Sequence, residues 1–163
     1  MITIRNATIN DLDEIARIEG LCFPKEEAAT KESFRGRLLY YPEHFWLLFE
    51  DELLVSFIDG FVTNERDLKD EMYDSPDMHV KDGDWQMIFG INTLPEYRKR
   101  GHASSLIKHM INEAKAQGKK GVVLTCKEKL IPFYEKQGFI NEGISSSVHG
   151  NTVWYQMRYV IDH

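Results

Sequence analysis

The sequence predicts an α/β or α+β architecture built on a mixed sheet, and three observations carry that expectation. Alternating, strand-like patterns and helix-like periodicity take turns along the chain, as they do when helices layer onto a sheet. One stretch, Trp85 to Met110, joins a strand to a helix through a basic glycine turn. The chain has 163 residues, 42% hydrophobic and 12% aromatic, enough for a real core, so one domain over 1–163 is expected.

The elements follow in order. Ile2 to Thr8 alternates as a first strand. Asp11 is placed to cap a helix, with Glu14 completing a capping box and Leu12, Ile15 and Ala16 on one face. Phe23-Pro24 breaks that helix and opens a polar loop, Lys25 to Ala29. Thr30 caps a second helix whose Phe34, Leu38 and Tyr41 share a face. Phe45 to Phe49 and Leu53 to Val62 read as strands of an antiparallel hairpin turning at Glu50-Asp51-Glu52. Thr63 to Gly83 is polar and acidic, with Leu68 and Met72 anchoring a short helix. After Trp85–Met110, Gln117-Gly118 ends the helix with glycine chemistry. Val122 to Cys126 reads as a buried strand, Leu130 to Gln137 as a short helix stopped by Gly138, and Phe139 as the start of another strand. His149-Gly150-Asn151 turns the chain into a last strand, Thr152 to Ile161. There are no repeats, low-complexity segments or linkers.

Within the central stretch, Trp85, Met87, Phe89 and Ile91 alternate on one apolar face, and Pro95 ends the strand. Arg98-Lys99-Arg100-Gly101-His102-Ala103 forms a tight basic turn, and Leu106, Ile107 and Met110 follow at helical spacing. Free backbone N–H groups at a helix start, with the positive end of its dipole, seat a phosphate or pyrophosphate. Gly101 removes the Cβ that would hold the anion away. Neither Gly-x-x-x-x-Gly-Lys-Ser/Thr nor Gly-x-Gly-x-x-Gly is present, so the common nucleotide loops are excluded.

Charge and cysteines narrow the class. The formal net charge is -6 and the sequence pI about 5.5, which argues against nucleic acid as a partner. Cys22 and Cys126 could pair only once, and Cys126 lies in an apolar strand. The N-terminus lacks the apolar core of a signal peptide and no run reaches membrane-spanning length. A cytoplasmic protein with no membrane partner and no metal is expected, as a monomer or homodimer.

The signature Arg98-x-x-Gly101-x-Ala103 resembles that of the GNAT superfamily of acyl-CoA-dependent N-acetyltransferases. The likeness continues through Val122-Val123-Leu124-Thr125-Cys126 and Leu130-Ile131-Pro132-Phe133-Tyr134-Glu135-Lys136-Gln137-Gly138-Phe139, which is similar to the fifth strand and following helix of that fold. Within the superfamily the sequence looks most like the arylalkylamine (serotonin-type) branch, with Phe23-Pro24 at its substrate loop and Asn64 to Leu68 at its acidic excursion. The resemblance implies a GNAT fold: a central mixed, mostly antiparallel sheet with splayed fourth and fifth strands, flanked by helices.

It also implies acetyl transfer from acetyl-CoA to a primary amine by direct attack through a tetrahedral intermediate. Ile91, Asn92 and Thr93 match the strand segment that pairs with the pantetheine arm. Arg98 opens the signature, and Lys99, Arg100, Gly101, His102, Ala103 and Ser104 match the pyrophosphate turn. Tyr134 matches the tyrosine that protonates or hydrogen-bonds the departing thiolate; a tyrosine packed in the core would look the same in sequence. Phe23, Pro24, Phe89 and Trp154 match the amine pocket of a small, partly apolar or aromatic substrate.

One departure matters. The branch carries two histidines on its fourth strand for deprotonation through water, and the matching residues here are Met87 and Phe89. Neither accepts a proton, so the base is unassigned, with His149 in its turn and Glu26 or Glu27 in the substrate loop as candidates. Two other readings stay open: acetylation of a protein or peptide amine, and a CoA-binding sensor with weak or no catalysis.

Overall fold

The computed structural model describes every residue from Met1 to His163. β1 (Ile2–Asn6) leads into α1 (Leu12–Cys22) and α2 (Lys31–Tyr40), then β2 (Phe45–Glu50) and β3 (Leu53–Asp59). β4 (Val62–Thr63), β5 (Trp85–Ile88) and β6 (Gly90–Thr93) precede α3 (His102–Ala116) and β7 (Gly121–Cys126). α4 (Ile131–Lys136), β8 (Ile140–Ile144) and β9 (Tyr155–Val160) complete the chain. No helix is long and apolar enough to cross a membrane.

Most boundaries follow from local chemistry. Thr30 Oγ1 accepts the Ser33 N–H at 3.1 Å and starts α2. Asp51 and Glu52 both hold positive φ, as a two-residue hairpin turn requires. The start of α1 differs from expectation. Thr8 opens a 3₁₀ turn at Ile9–Asp11, and the Asp11 carboxylate accepts the Thr8 N–H at 2.8 Å. Glu14 does not complete a capping box; it pairs with Arg17 at 3.0 Å.

Two strands read as continuous are broken, and the breaks make the architecture. The chain leaves β3 at Gly60-Phe61 and re-enters pairing as β4, and it leaves β5 at Phe89 to continue as β6. Sheet order is β1-β2-β3-β6 in one half and β4-β5-β7-β9-β8 in the other. The pairing is antiparallel except for β5 and β7, which run parallel from Trp85↔Gly121 to Ile88↔Leu124. β6 then crosses to β3, so β6 and β7 diverge and the sheet splays. At Phe89 the strand bulges, its N–H donating to Asp59 O at 2.7 Å. Gly60 is required beside this break, because a Cβ there would lie 1.9 Å from Met87 O.

The main core packs Leu12, Ile15 and Ile18 of α1, Phe34 and Leu38 of α2, and Leu106, Ile107 and Met110 of α3 with β2, β3 and β7. A smaller cluster of Tyr41, Phe61, Leu68, Met72, Met87 and Val123 holds the acidic excursion to β5. Met87 is fully buried there, so the residue standing at one expected base position is a packing group.

Candidate functional site

The splay opens a groove of about 780 Å³ that runs from the start of α3, past the bulge at Phe89, to the α1–α2 loop and the His149 turn. Its two ends are built differently.

One end is mostly backbone. Leu94 N donates to Val55 O at 2.9 Å, so by strand alternation the Ile91 and Thr93 N–H groups point away from β3, toward the side β7 has left. Thr93 O is already used, by Arg98 Nε at 3.0 Å and Cys22 Sγ at 3.4 Å. Ile91 is left as the open edge. Gly101 caps α3 with φ 82° and ψ 11°, and Lys99 also has positive φ. Such turns aim successive N–H groups into a shallow anion-binding concavity. The first intrahelical bond, Ser105 N to Gly101 O at 3.0 Å, leaves His102, Ala103 and Ser104 N–H without helical acceptors. Nothing lies within 4 Å of where a Gly101 Cβ would stand. The turn is pinned from below by Glu50, which accepts from Arg100 Nη1 at 2.6 Å and from His102 Nε2 at 2.9 Å.

The other end is side chains. His149 stacks on Tyr73 with an interplanar angle of 13°, and Tyr73 packs in turn on Phe89. His149 Nε2 lies 3.0 Å from Glu27 O, so Nε2 carries a proton and donates it there. Trp154 Nε1 donates to His149 O at 2.7 Å and fixes the turn. Lys127 Nζ bridges Glu27 at 2.8 Å. Below them Arg37, buried, gives Nη1 to Asp59 Oδ2 at 3.0 Å and Nη2 to Tyr73 O at 3.0 Å. Burial alone would lower its pKa; Asp59 outweighs that and holds the guanidinium charged. Buried Glu19 takes Ala29 N–H at 2.8 Å and Asn92 Nδ2 at 2.7 Å, and burial pushes its carboxyl up.

Tyr134 lies between the ends, on α4 behind Pro132 at the helix start. It is 8% exposed and lines the groove. Burial, with Cys126 and Tyr73 close by, raises its pKa well above the ordinary phenol value, and no protein group accepts its proton. The phenol therefore stays protonated with its O–H free for whatever occupies the groove.

The family model described as Acetyltransferase (GNAT) family matches residues 12–139. The chain belongs to that family. It is an acyltransferase by membership, and that membership is consistent with acetyl-CoA as cosubstrate. Among solved structures it is similar to the loading GNATL domain of CurA from Lyngbya majuscula, at 18% identity and TM-score 0.85 over 98% of each chain. The GphF GNAT-like decarboxylase in complex with isobutyryl-CoA gives 17% and 0.81, over 97% of this chain and 98% of that one. The ribosomal-protein-S18-alanine N-acetyltransferase from Escherichia coli gives 19% and 0.76, over 100% and 96%. At these identities the likeness shows the fold. A search of curated proteins finds no match.

Most residues predicted for the site meet in the groove. Ile91, Thr93, Arg98, Lys99, Gly101, His102, Ala103, Ser104, Tyr134 and His149 line it, as do Phe23, Pro24, Phe89 and Trp154. Two differ in detail. Arg100 turns away to Glu50 and stacks over Tyr97 at 4.7 Å. Asn92 faces the groove with its side chain only, its backbone O being taken by Ser56 Oγ at 2.6 Å. Sequence reasoning missed Glu19, Arg37, Tyr73, Asp74, Thr125 and Lys127, which carry no motif and converge only through the fold. Away from the groove, Glu43, His44 and His79 place ligand-type atoms within 4.8 Å of one another. His79 Nδ1, however, accepts the Val62 N–H at 3.0 Å, so its Nε2 carries the proton and offers no lone pair to a cation.

Proposed function

We propose that the protein transfers acetyl from acetyl-CoA to the primary amine of a small, partly apolar substrate. The observation that carries this reading is the free Tyr134 hydroxyl at the junction of an anion-binding backbone and an acidic, aromatic pocket. Bound acetyl-CoA supplies the activated acetyl group. The N–H groups of His102 to Ser104, with Lys99 beside them, hold its pyrophosphate, and the Ile91 edge lines its pantetheine arm. Tyr134 Oη gives a proton to the departing sulfur.

The acceptor end favours a cation. Glu19, Glu27 and Asp74 line it against Arg37 and Lys127, and both cations are already ion-paired, to Asp59 and Glu27. An alkylammonium completes that balance. A carboxylate substrate, as decarboxylation of an acyl-CoA would require, finds Arg37 and Lys127 already paired and meets Glu19 and Asp74. Phe23, Phe89, Tyr73 and Trp154 supply apolar walls for the body of the amine. Release of CoA should therefore be seen with small arylalkylamines or similar amines and fall away with peptides. A panel of arylalkylamines, polyamines, aminoglycosides and peptides tests this, and activity confined to peptides would overturn it.

A further inference from the structure

Tyr134 can meet a departing sulfur only where α4 holds it, and α4 is six residues long, too short to keep its place by helix formation alone. It packs back on β8 and β9, and the Tyr134 ring lies against Phe133 and Phe139 with centroids 5.1 and 5.8 Å away. One side-chain contact runs instead to the cofactor end. Gln137, the residue that closes α4, gives an Nε2–H to Ser104 Oγ at 3.0 Å. No other hydrogen bond joins the α4 segment to α3.

Gln137 does not line the groove, so whatever it does there passes through its partners. It has one on each side. Its backbone N–H donates to Tyr134 O at 3.0 Å, and its amide donates to Ser104. Two hydrogen bonds thus link the Tyr134 main chain to the first turn of α3. The polarity of the second one matters. An amide nitrogen can only donate, so Ser104 Oγ accepts and its own proton points elsewhere. The Gln137 contact is the only protein hydrogen bond of Ser104 Oγ. Ser104 lines the groove and has its backbone N–H free as well, so the hydroxyl is a further donor at the anion seat.

We propose that Gln137 is a positioning residue that ties the helix carrying Tyr134 to the cofactor seat and leaves the Ser104 hydroxyl free to donate there. This rests on the reading above, in which the pyrophosphate sits at the start of α3 and Tyr134 protonates the sulfur. An anion drawn onto Ser104 fixes that side chain, and the fixed hydroxyl holds Gln137 and with it the Tyr134 main chain. The acid is therefore held most firmly when the cosubstrate is bound. Displacing a reacting group by about 1 Å can cost about a hundredfold, so one tie between two short segments is enough to matter.

The test is Gln137→Leu, which removes the amide at similar volume. It should lower kcat about tenfold and acetyl-CoA affinity only about threefold. A tie that acts through Tyr134 is not additive with its loss, so on Tyr134→Phe the leucine substitution should cost kcat nothing further. Gln137→Glu reverses the bond, because a carboxylate takes the Ser104 proton and adds negative charge beside the seat. It should weaken acetyl-CoA binding about tenfold, more than leucine does, and keep more of kcat. A second readout needs neither amine nor turnover. Adenosine diphosphate carries the pyrophosphate without the pantetheine arm. Saturating the wild type with it should shift the ¹³C ring resonance of Tyr134, assigned by its loss in Tyr134→Phe, and the leucine variant should lack that shift. The proposal is overturned by a leucine variant within about threefold of wild-type kcat, or by a leucine loss repeated in full on Tyr134→Phe. A glutamate variant that binds acetyl-CoA as the leucine variant does overturns it too, as does a Tyr134 shift absent from wild type or kept by the leucine variant. Tyr134→Phe turning over as fast as wild type removes the acid role and this proposal with it. Failure of every amine to be acetylated by wild type would instead overturn the amine reading, and the Tyr134 resonance would still decide the tie.

Discussion

The two ends of the groove solve recognition with different materials. The end proposed for the cofactor is backbone: one strand edge, one αL glycine and the first turn of α3, all within Gly90 to Ser104. The acceptor end uses side chains drawn from α1, α2, the acidic excursion, β7 and the His149 turn, held in a net of ion pairs and stacked rings. Backbone recognition tolerates almost any residue that keeps the conformation. Side-chain recognition changes with each substitution. Variants placed on either side of that division should fail differently.

Tyr134 stands on the boundary and should give the largest effect. Tyr134→Phe removes one O–H that no protein group shares. Because that bond matters most as charge builds on sulfur, turnover should drop by about a hundredfold while both ligands still bind. Steady-state kinetics beside calorimetric acetyl-CoA binding would show it. A loss below about threefold in a folded variant makes Tyr134 a packing residue.

The cofactor end is broken by Gly101→Glu. The site has space for a side chain, but φ of 82° strains most non-glycine residues, glutamate included, and the carboxylate would face the pyrophosphate. Acetyl-CoA affinity should weaken about tenfold or more, worth about 1.4 kcal/mol, and amine KM at saturating acetyl-CoA should stay put. Gly101→Asn sharpens the point, since asparagine tolerates this conformation and carries no charge. It should bind nearly as wild type, and equal binding by the glutamate variant would show the pyrophosphate lies elsewhere.

What the sequence made legible follows the same division. The conformation of the turn Arg98 to Ala103 could be read because it is contiguous backbone, so spacing alone encodes it. The Pro-Phe-Tyr helix carrying Tyr134 is equally local. Glu19 and Arg37 could not be read, since a charged residue on an amphipathic helix looks solvated until its partner, Asn92 or Asp59, is known. The breaks at Gly60-Phe61 and Phe89 were hidden for a related reason. Apolar alternation continues across both, and only the competition between two sheets for the same strand decides where pairing changes partner. Arg100 misled because a cation in a basic turn looks like a ligand contact, whereas Glu50 from a distant hairpin claims it.

The smallest expected effect, and the most informative about the acceptor end, is that of His149→Ala. The imidazole is one wall of the pocket, stacked on Tyr73, and its Nε2 proton is committed to Glu27 O. Removing it should raise amine KM by a fewfold through lost contact area and a looser turn, and leave acetyl-CoA binding alone. The shape of the pH profile decides its chemistry. An imidazole base bends kcat/KM near the unperturbed histidine value of about 6.5. An amine that reacts from its own neutral fraction gives a rise without that bend, in wild type and variant alike. If the wild type bends there and the alanine variant loses the bend and most of its rate together, His149 is the proton acceptor. If the two profiles keep one shape, the ring serves shape, and the proton leaves the amine by a route that does not use it.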